Sequence, residues 1–224
     1  MKKMKLKDFC SKVDYSCLGW ICDDATVQMF CDNALKYGFA SVCVNPDRVA
    51  FCKERLKDKC GISAVVGFPC GATSADIKIA EAKEVIDLGA TDVDIVSNLS
   101  YIRDRKLTQA REEYNRIVKE IREYSPNTII KFIVYSPYGA QHPCLTDEEL
   151  QIVSDLVVES GADYIKFDSD AAAIKKMTGG KIKMKFAYCT DWEVAYDAVK
   201  KGCDRIGADE FIVPWIEEHR AEFE

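Results

Sequence analysis

Apolar and polar residues recur along this chain with two periods, and the switches between them divide it into short elements. Strand-like stretches fall at 12–18, 40–44, 62–68, 91–96, 128–135, 164–168, 181–186 and 205–208. Between them the apolar positions take the spacing of one helical face, at 26–37, 48–59, 74–88, 108–124, 146–161, 171–177, 191–201 and 210–222. Glycines stop several of these helices (Gly38, Gly89, Gly161, Gly202), and Thr146-Asp147-Glu148-Glu149 has the form of a capping box. A joint of glycine, a small residue and an aspartate before a strand recurs at Gly89 to Asp92, Gly161 to Asp163 and Gly202 to Asp204. Eight strands alternating with about eight helices, with short links, predict an α/β fold. The expectation is one TIM (β/α)8 barrel domain over 1–224, with a doubly wound open sheet as the alternative. In a barrel the chemistry belongs at the C-terminal ends of the strands.

Several strands carry charges where apolar residues are expected. Side chains alternate between the faces of a strand, so Lys181, Lys183 and Lys185 share one face while Ile182, Met184 and Phe186 share the other. Lys166 sits inside Tyr164-Ile165-Lys166-Phe167-Asp168, Asp92 and Asp94 share a face, and Lys131 shares one with Ile129 and Ile133. A barrel would bring Asp94, Lys131, Lys166 and Lys185 to one level of its interior. The other reading is that these are surface charges on edge strands. A buried ammonium is costly unless it is paired or loses its proton, and a neutral lysine is a nucleophile. The chemistry that fits is amine catalysis. One lysine forms a Schiff base with a carbonyl, a neighbouring ammonium disfavours the charged amine, and a carboxylate relays protons. It requires no metal and no cofactor beyond the covalent lysine imine.

Composition narrows the classes. The 224 residues carry a net charge of −6, which leaves no basic patch for nucleic acid. No apolar run reaches membrane-span length, and the basic start of the chain has no apolar stretch behind it as a secretory signal would. Eleven cysteines are scattered without a C-x-x-C pair, which suits reduced thiols in a cytoplasmic setting. Two histidines, His142 and His219, give little material for a histidine-based zinc site or a Ser-His-Asp triad.

The chain resembles the deoxyribose-phosphate aldolases, class I aldolases with a TIM barrel. The resemblance covers most of its length. It lies in Phe-Ala-Ser-Val-Cys-Val-Asn-Pro at 39–46, Val-Val-Gly-Phe-Pro-Cys-Gly-Ala at 65–72 and Ala-Glu-Ala-Lys-Glu at 80–84. It continues in Asp-Val-Asp-Ile-Val-Ser-Asn at 92–98, Leu-Thr-Asp-Glu-Glu at 145–149, Gly-Ala-Asp-Tyr-Ile-Lys at 161–166 and Asp-Arg-Ile-Gly-Ala at 204–208. It implies that Lys166 forms the Schiff base, Lys185 is the second lysine that perturbs it, Asp94 is the relay carboxylate and Lys131 lines the site. It implies reversible cleavage of 2-deoxyribose 5-phosphate to acetaldehyde and glyceraldehyde 3-phosphate. Substrate contacts are expected from Lys131, Asp14, Cys43, Ser169, Tyr188, Gly207 and Asp209, and by analogy the chain forms a homo-oligomer.

The departures from the family pattern lie directly after the lysines. A Thr-Ser-Thr-Gly type loop is replaced by Phe167-Asp168-Ser169-Asp170. A Gly-Gly loop is replaced by Phe186-Ala187-Tyr188-Cys189-Thr190, and a small hydroxylated loop by Ala208-Asp209-Glu210. The loop from Tyr135 to Cys144, with Tyr138 and His142, is longer than usual. Phosphate favours backbone N–H groups of glycine-rich turns, and carboxylates repel it. One expectation is therefore a carbonyl substrate that lacks the terminal phosphate or holds it differently; another is that the acids turn outward as helix caps. Cys70 and Thr190 are further candidate contacts. Two other readings remain: a Schiff-base lyase for a different carbonyl compound, and a non-catalytic ligand-binding barrel.

Overall fold

The computed structural model describes residues 4–134 and 145–224. Helix α1 (Leu6–Cys10) precedes strand β1 (Val13–Cys17). There follow α2 (Asp24–Tyr37), β2 (Ser41–Val44), α3 (Val49–Leu56), β3 (Gly61–Val66), α4 (Ala75–Asp87) and β4 (Asp92–Val96). Helices α5 (Leu99–Arg103) and α6 (Leu107–Tyr124) both precede β5 (Ile129–Ile133). The chain then runs through α7 (Asp147–Ser160), β6 (Tyr164–Phe167), α8 (Ala171–Met177), β7 (Lys183–Phe186), α9 (Trp192–Lys200), β8 (Arg205–Ala208) and α10 (Ile212–Glu218). All eight strands pair in parallel with their sequence neighbours. β1 closes onto β8 through Val13↔Ile206, Asp14↔Gly207 and Tyr15↔Ala208, so the sheet is a closed barrel and not an open one.

The two faces of each strand differ sharply. Val93 and Ile95 of β4, Ile130 and Phe132 of β5, and Ile165 and Phe167 of β6 point outward and join one apolar cluster with the helices. Burying a side chain of this size contributes about 2 kcal/mol. That outer layer offsets an inner face filled with charge. The helices start and stop as their sequences require. Thr146 forms the complete capping box with Glu149, and Gly161 ends α7 at φ 77°, a left-handed value that suits glycine.

Two helices lie outside the predicted pattern. In α1, Phe9 is buried against Trp192 and Phe223, with ring centroids 5.3 and 5.5 Å away, so tertiary packing sustains a segment too short for a periodic signal. In α5 a single residue, Ile102, is buried. Of the three lysines expected on one face, β7 holds two, Lys183 and Lys185, and only Lys185 is buried. Gly179 and Gly180 both take positive φ (60° and 67°), and pairing with β6 begins only at Tyr164↔Lys183. Lys181 therefore precedes the strand, and both Lys181 and Lys183 are exposed. The loop from Tyr135 to Cys144, with Tyr138 and His142, lies outside the described residues.

Candidate active site

The site grows from the inner faces of five strands. Asp14 of β1, Asp94 of β4, Lys131 of β5 and Lys185 of β7 have side chains with no exposed surface. Lys166 of β6 keeps 4% of its side chain accessible. Partners on successive strands of a tilted closed barrel are staggered along its axis, and with this register the four residues stay close to one level. Lys131 lies opposite Asp94 and Tyr164, and Lys166 lies opposite Ile133 and Lys185. The charged tips of the lysines converge on Asp94.

Asp94 is the hub. Its Oδ1 accepts from Lys131 Nζ at 3.0 Å and from Ser63 Oγ at 2.9 Å. Its Oδ2 accepts from Lys166 Nζ at 2.9 Å and from Lys185 Nζ at 2.7 Å. Burial alone would raise the Asp94 carboxyl, but the ammonium groups of Lys131, Lys166 and Lys185 outweigh it and hold it well below the ordinary carboxylate range. Asp14 is a second hub. Lys185 Nζ is 2.6 Å from its Oδ2, Arg205 is 3.7 Å from its Oδ1, and Ser41 Oγ donates to Oδ1 at 2.7 Å. Burial again works upward on Asp14, and Lys131 and Lys185 reverse it.

Lys131 is pinned. Its Nζ donates to Asp92 Oδ2 at 2.6 Å, to Asp94, and to Ser63 Oγ at 3.1 Å. Burial would lower its pKa, but Asp14, Asp92 and Asp94 hold it well above that of an ordinary lysine. A lysine so fixed in its charged form is a clamp and not a nucleophile. Lys185 is enclosed between Asp14 and Asp94. Of the three lysines, Lys166 is the one that keeps any accessible side-chain surface.

The remaining predicted residues are spread more widely. Asp14 serves Lys185 from inside the barrel. Cys43 is fully buried on β2, in register with Ser16 and Ser63. Gly207 lies on β8 beside the cluster, where a Cβ would make ordinary contact with Lys185 Cε at 3.7 Å and the Tyr188 nitrogen at 3.5 Å. Ser169, after β6, has a buried Oγ with no hydrogen-bond partner among the described residues. Tyr188, after β7, is exposed and takes φ 61°. Asp209 accepts from Phe211 N at 3.2 Å, and partial burial pushes its carboxyl up. Asp170 caps α8 through Ala173 N and pairs with Lys201, so this acid does turn outward as a cap. Cys70 and Thr190 are exposed, and Thr190 donates to Asp191.

Residues passed over as site members are Ser41, Ser63, Asp92 and Arg205. Asp92 shares a face with Asp94, which is visible in the alternation. Its 2.6 Å contact with Lys131 depends on a diagonal across two strands.

Residues 5–194 match the model of the family described as DeoC/LacD family aldolase. A deoxyribose-phosphate aldolase of Caldicellulosiruptor saccharolyticus is 35% identical over 216 residues, covering 91% of this chain and 95% of its own length. One from Thermococcus kodakarensis is 31% identical over 191 residues, covering 79% and 82%. Among solved structures, an aldolase with 29% identity superposes with a TM-score of 0.83, covering 97% of this chain and 99% of the other. The deoxyribose phosphate aldolase of Aeropyrum pernix, 23% identical, shares the fold with a TM-score of 0.83 over 97% and 93%. The family match runs from β1 through β7, past every lysine of the cluster, and the relatives align over most of both chains; the chain belongs to the DeoC/LacD family of aldolases and is a carbon–carbon lyase.

Proposed function

We propose that the chain cleaves and forms a 2-deoxy pentose, as the free sugar or its 5-phosphate, through a Schiff base on Lys166. The observation that carries this reading is the position of the Lys166 amine. It is 2.9 Å from the Asp94 carboxylate, which Lys185 also contacts, and Lys166 alone of the three lysines keeps any accessible side-chain surface. The names of the relatives support the sugar class.

The neutral Lys166 amine adds to the C1 aldehyde of the open-chain sugar and forms a C–N bond. Loss of water breaks the C–O bond and leaves a protonated imine. A base takes the proton of the C3 hydroxyl, the C2–C3 bond breaks, and its electron pair moves into the iminium to give an enamine. The C3 fragment leaves as an aldehyde. Protonation of the enamine at C2 and addition of water then release acetaldehyde and restore the amine. The cluster holds three lysines and Arg205 against Asp14, Asp92 and Asp94, one cation in excess, so charge stays balanced when Lys166 gives up its proton. Asp94, with Lys185 beside it, is the group within reach to pass that proton on. The imine is the electron sink, so the chemistry calls on no metal or further cofactor.

Borohydride reduction in the presence of acetaldehyde, followed by peptide mapping, tests the assignment. The expected result is an ethyl adduct on Lys166, and an unmodified Lys166 overturns it. One domain spanning the chain, a cytoplasmic setting and assembly into a homo-oligomer belong to the same reading. The setting is supported by ten free cysteines among the described residues; light scattering tests the assembly.

A further inference from the structure

Strand β8 begins with Arg205, which places this residue at the N-terminal end of the barrel, away from the end where the chemistry of such folds lies. Ile206 and Ala208 join the outer apolar cluster, so alternation turns Arg205 and Gly207 inward. Gly207 is in register with Asp14, and Arg205 with Lys185. The arginine reaches diagonally across to β1, where its Nη1 is 3.7 Å from Asp14 Oδ1. The Tyr164 hydroxyl of β6 accepts a hydrogen bond from it, and Asp92 of β4 adds a further attraction. Lys183 and Lys131 lie over the Tyr164 ring, 5.5 and 5.9 Å from its centroid. A guanidinium keeps its charge at any pH the protein meets. Its side chain is 18% exposed, so this cation keeps some contact with water and costs less to place than a fully buried one.

Asp14 is held on both oxygens. Ser41 Oγ and Arg205 lie on Oδ1, while Lys185 Nζ is 2.6 Å and Lys131 Nζ 3.5 Å from Oδ2. Oδ2 is buried and accepts no well-aligned hydrogen bond among the described residues, so its hold on Lys185 is one of charge at short range. Lys185 Nζ is also 2.7 Å from Asp94 Oδ2, and that same oxygen is 2.9 Å from Lys166 Nζ. Charges of alternating sign therefore run Arg205, Asp14, Lys185, Asp94, Lys166 across the barrel interior. Among the described residues, Lys166 further faces Lys131 through Asp94, and Asp168 follows it two positions along the chain. The cluster sets four cations against Asp14, Asp92 and Asp94. Without Arg205 the count is three against three. A neutral Lys166 would then leave one buried carboxylate uncompensated, and the amine would keep its proton to higher pH.

Resting on the Schiff-base reading, we propose that Arg205 is a positioning residue for the aldol chemistry: it fixes Asp14 against Lys185 and supplies the permanent positive charge against which Lys166 is neutral. The test follows adduct formation between acetaldehyde and Lys166 in the full chain, by cyanoborohydride trapping and peptide mapping across a pH series, alongside sugar cleavage. Arg205→Gln keeps a donor and removes the charge. It raises the midpoint of adduct formation by about one pH unit and lowers kcat at neutral pH by about tenfold, with KM within about threefold of wild type. Arg205→Lys keeps the charge and leaves the midpoint within about 0.3 of a unit. Asp14→Asn moves the midpoint down, and the double variant Asp14→Asn with Arg205→Gln, which again has one cation in excess, returns it close to wild type. A merely structural arginine gives losses that add in the double variant and persist at high pH, and that result overturns the inference. So does a midpoint unmoved by Arg205→Gln, or moved as far by Arg205→Lys, with the adduct present; the Schiff-base reading then stands. If Arg205→Gln does not fold, the other two single variants decide: a downward shift in Asp14→Asn and none in Arg205→Lys support the inference, and any other pattern overturns it. An unmodified Lys166 in the wild-type chain overturns the Schiff-base reading and this inference with it.

Discussion

Among the described residues, lysine–carboxylate contacts are buried in two places, and they are built differently. Between α4 and α6, Lys78 donates to Glu113 at 2.6 Å, one cation against one acid. The Lys78 stem also packs over Gly67, which holds φ 64° at the end of β3. Inside the barrel each acid serves several ammonium groups. Burial lowers the pKa of Lys78 in spite of Glu113, whereas three aspartates carry Lys131 well above its ordinary range. A lone pair loses its balance when either member changes charge. A shared network can release a proton and redistribute the attraction, which the proposed imine chemistry would require of Lys166. Burial alone does not mark a functional lysine; the number of acids around it and access for a carbonyl compound do.

The largest test of this contrast removes the accessible amine. Lys166→Met leaves Asp94 with Lys131 and Lys185, so the fold is retained while retro-aldol kcat falls by about 10⁴-fold or more. Circular dichroism and a sugar-cleavage assay check both halves. Retention of more than a tenth of the activity would move the covalent role elsewhere. Next comes Asp94→Asn, which keeps the shape and removes the charge that three lysines share. The expected loss in kcat is about 10²- to 10⁴-fold, with weakened trapping at Lys166. Several ammonium groups are then left short of a carboxylate, so stability falls by about 3–5 kcal/mol in urea titration.

Much of this site was legible before the fold was known. Alternation set Asp92 and Asp94 on one face, and placed Lys131, Lys166 and Lys185 where apolar residues belong. Eight βα units pointed to a closed barrel. Contacts that cross distant parts of the chain were not legible. Asp14 joins Lys185 because β1 closes onto β8, and no local pattern relates positions so far apart. Lys183 shares a face with Lys185, yet it is the first residue of β7, at the N-terminal end of the strand, and is exposed. Relative access also stayed hidden, since it depends on which strand end a residue occupies and what covers it. Helix α1 escaped for a related reason, as its apolar residues are held by Trp192 and Phe223 near the other end of the chain.

The outer pair supplies the converse experiment. Lys78→Met strands the Glu113 carboxylate, costing about 3–5 kcal/mol, and adding Glu113→Leu restores most of that loss, as expected when a buried pair is replaced by apolar groups. Sugar cleavage stays within about twofold of wild type in the double variant at a temperature where it is folded, because the pair lies between helices α4 and α6 and makes no contact with the Asp14–Asp94 cluster. A loss of activity comparable to that of Asp94→Asn would erase the distinction between the two sites.

The smallest effect concerns acid. Asp14 and Asp94 have folded pKa values lowered by their lysines, so the folded chain holds these carboxylates charged where the unfolded chain already protonates them. An unfolded aspartate titrates near pH 4. The stabilisation is therefore complete above that pH and is lost as pH falls towards the folded values. Below about pH 4 the unfolded state binds more protons, so the free energy of unfolding declines with decreasing pH. Asp14→Asn lowers stability at neutral pH by removing one partner of Lys185, and it also removes one of these titrations. Urea midpoints measured from pH 7 down to about pH 2.5 should fall less steeply in this variant than in wild type, with the difference confined to the range below about pH 4. Parallel curves would mean that Asp14 is protonated at the same pH whether folded or not, and that the charge shared inside the barrel rests on Asp94 and Asp92 alone.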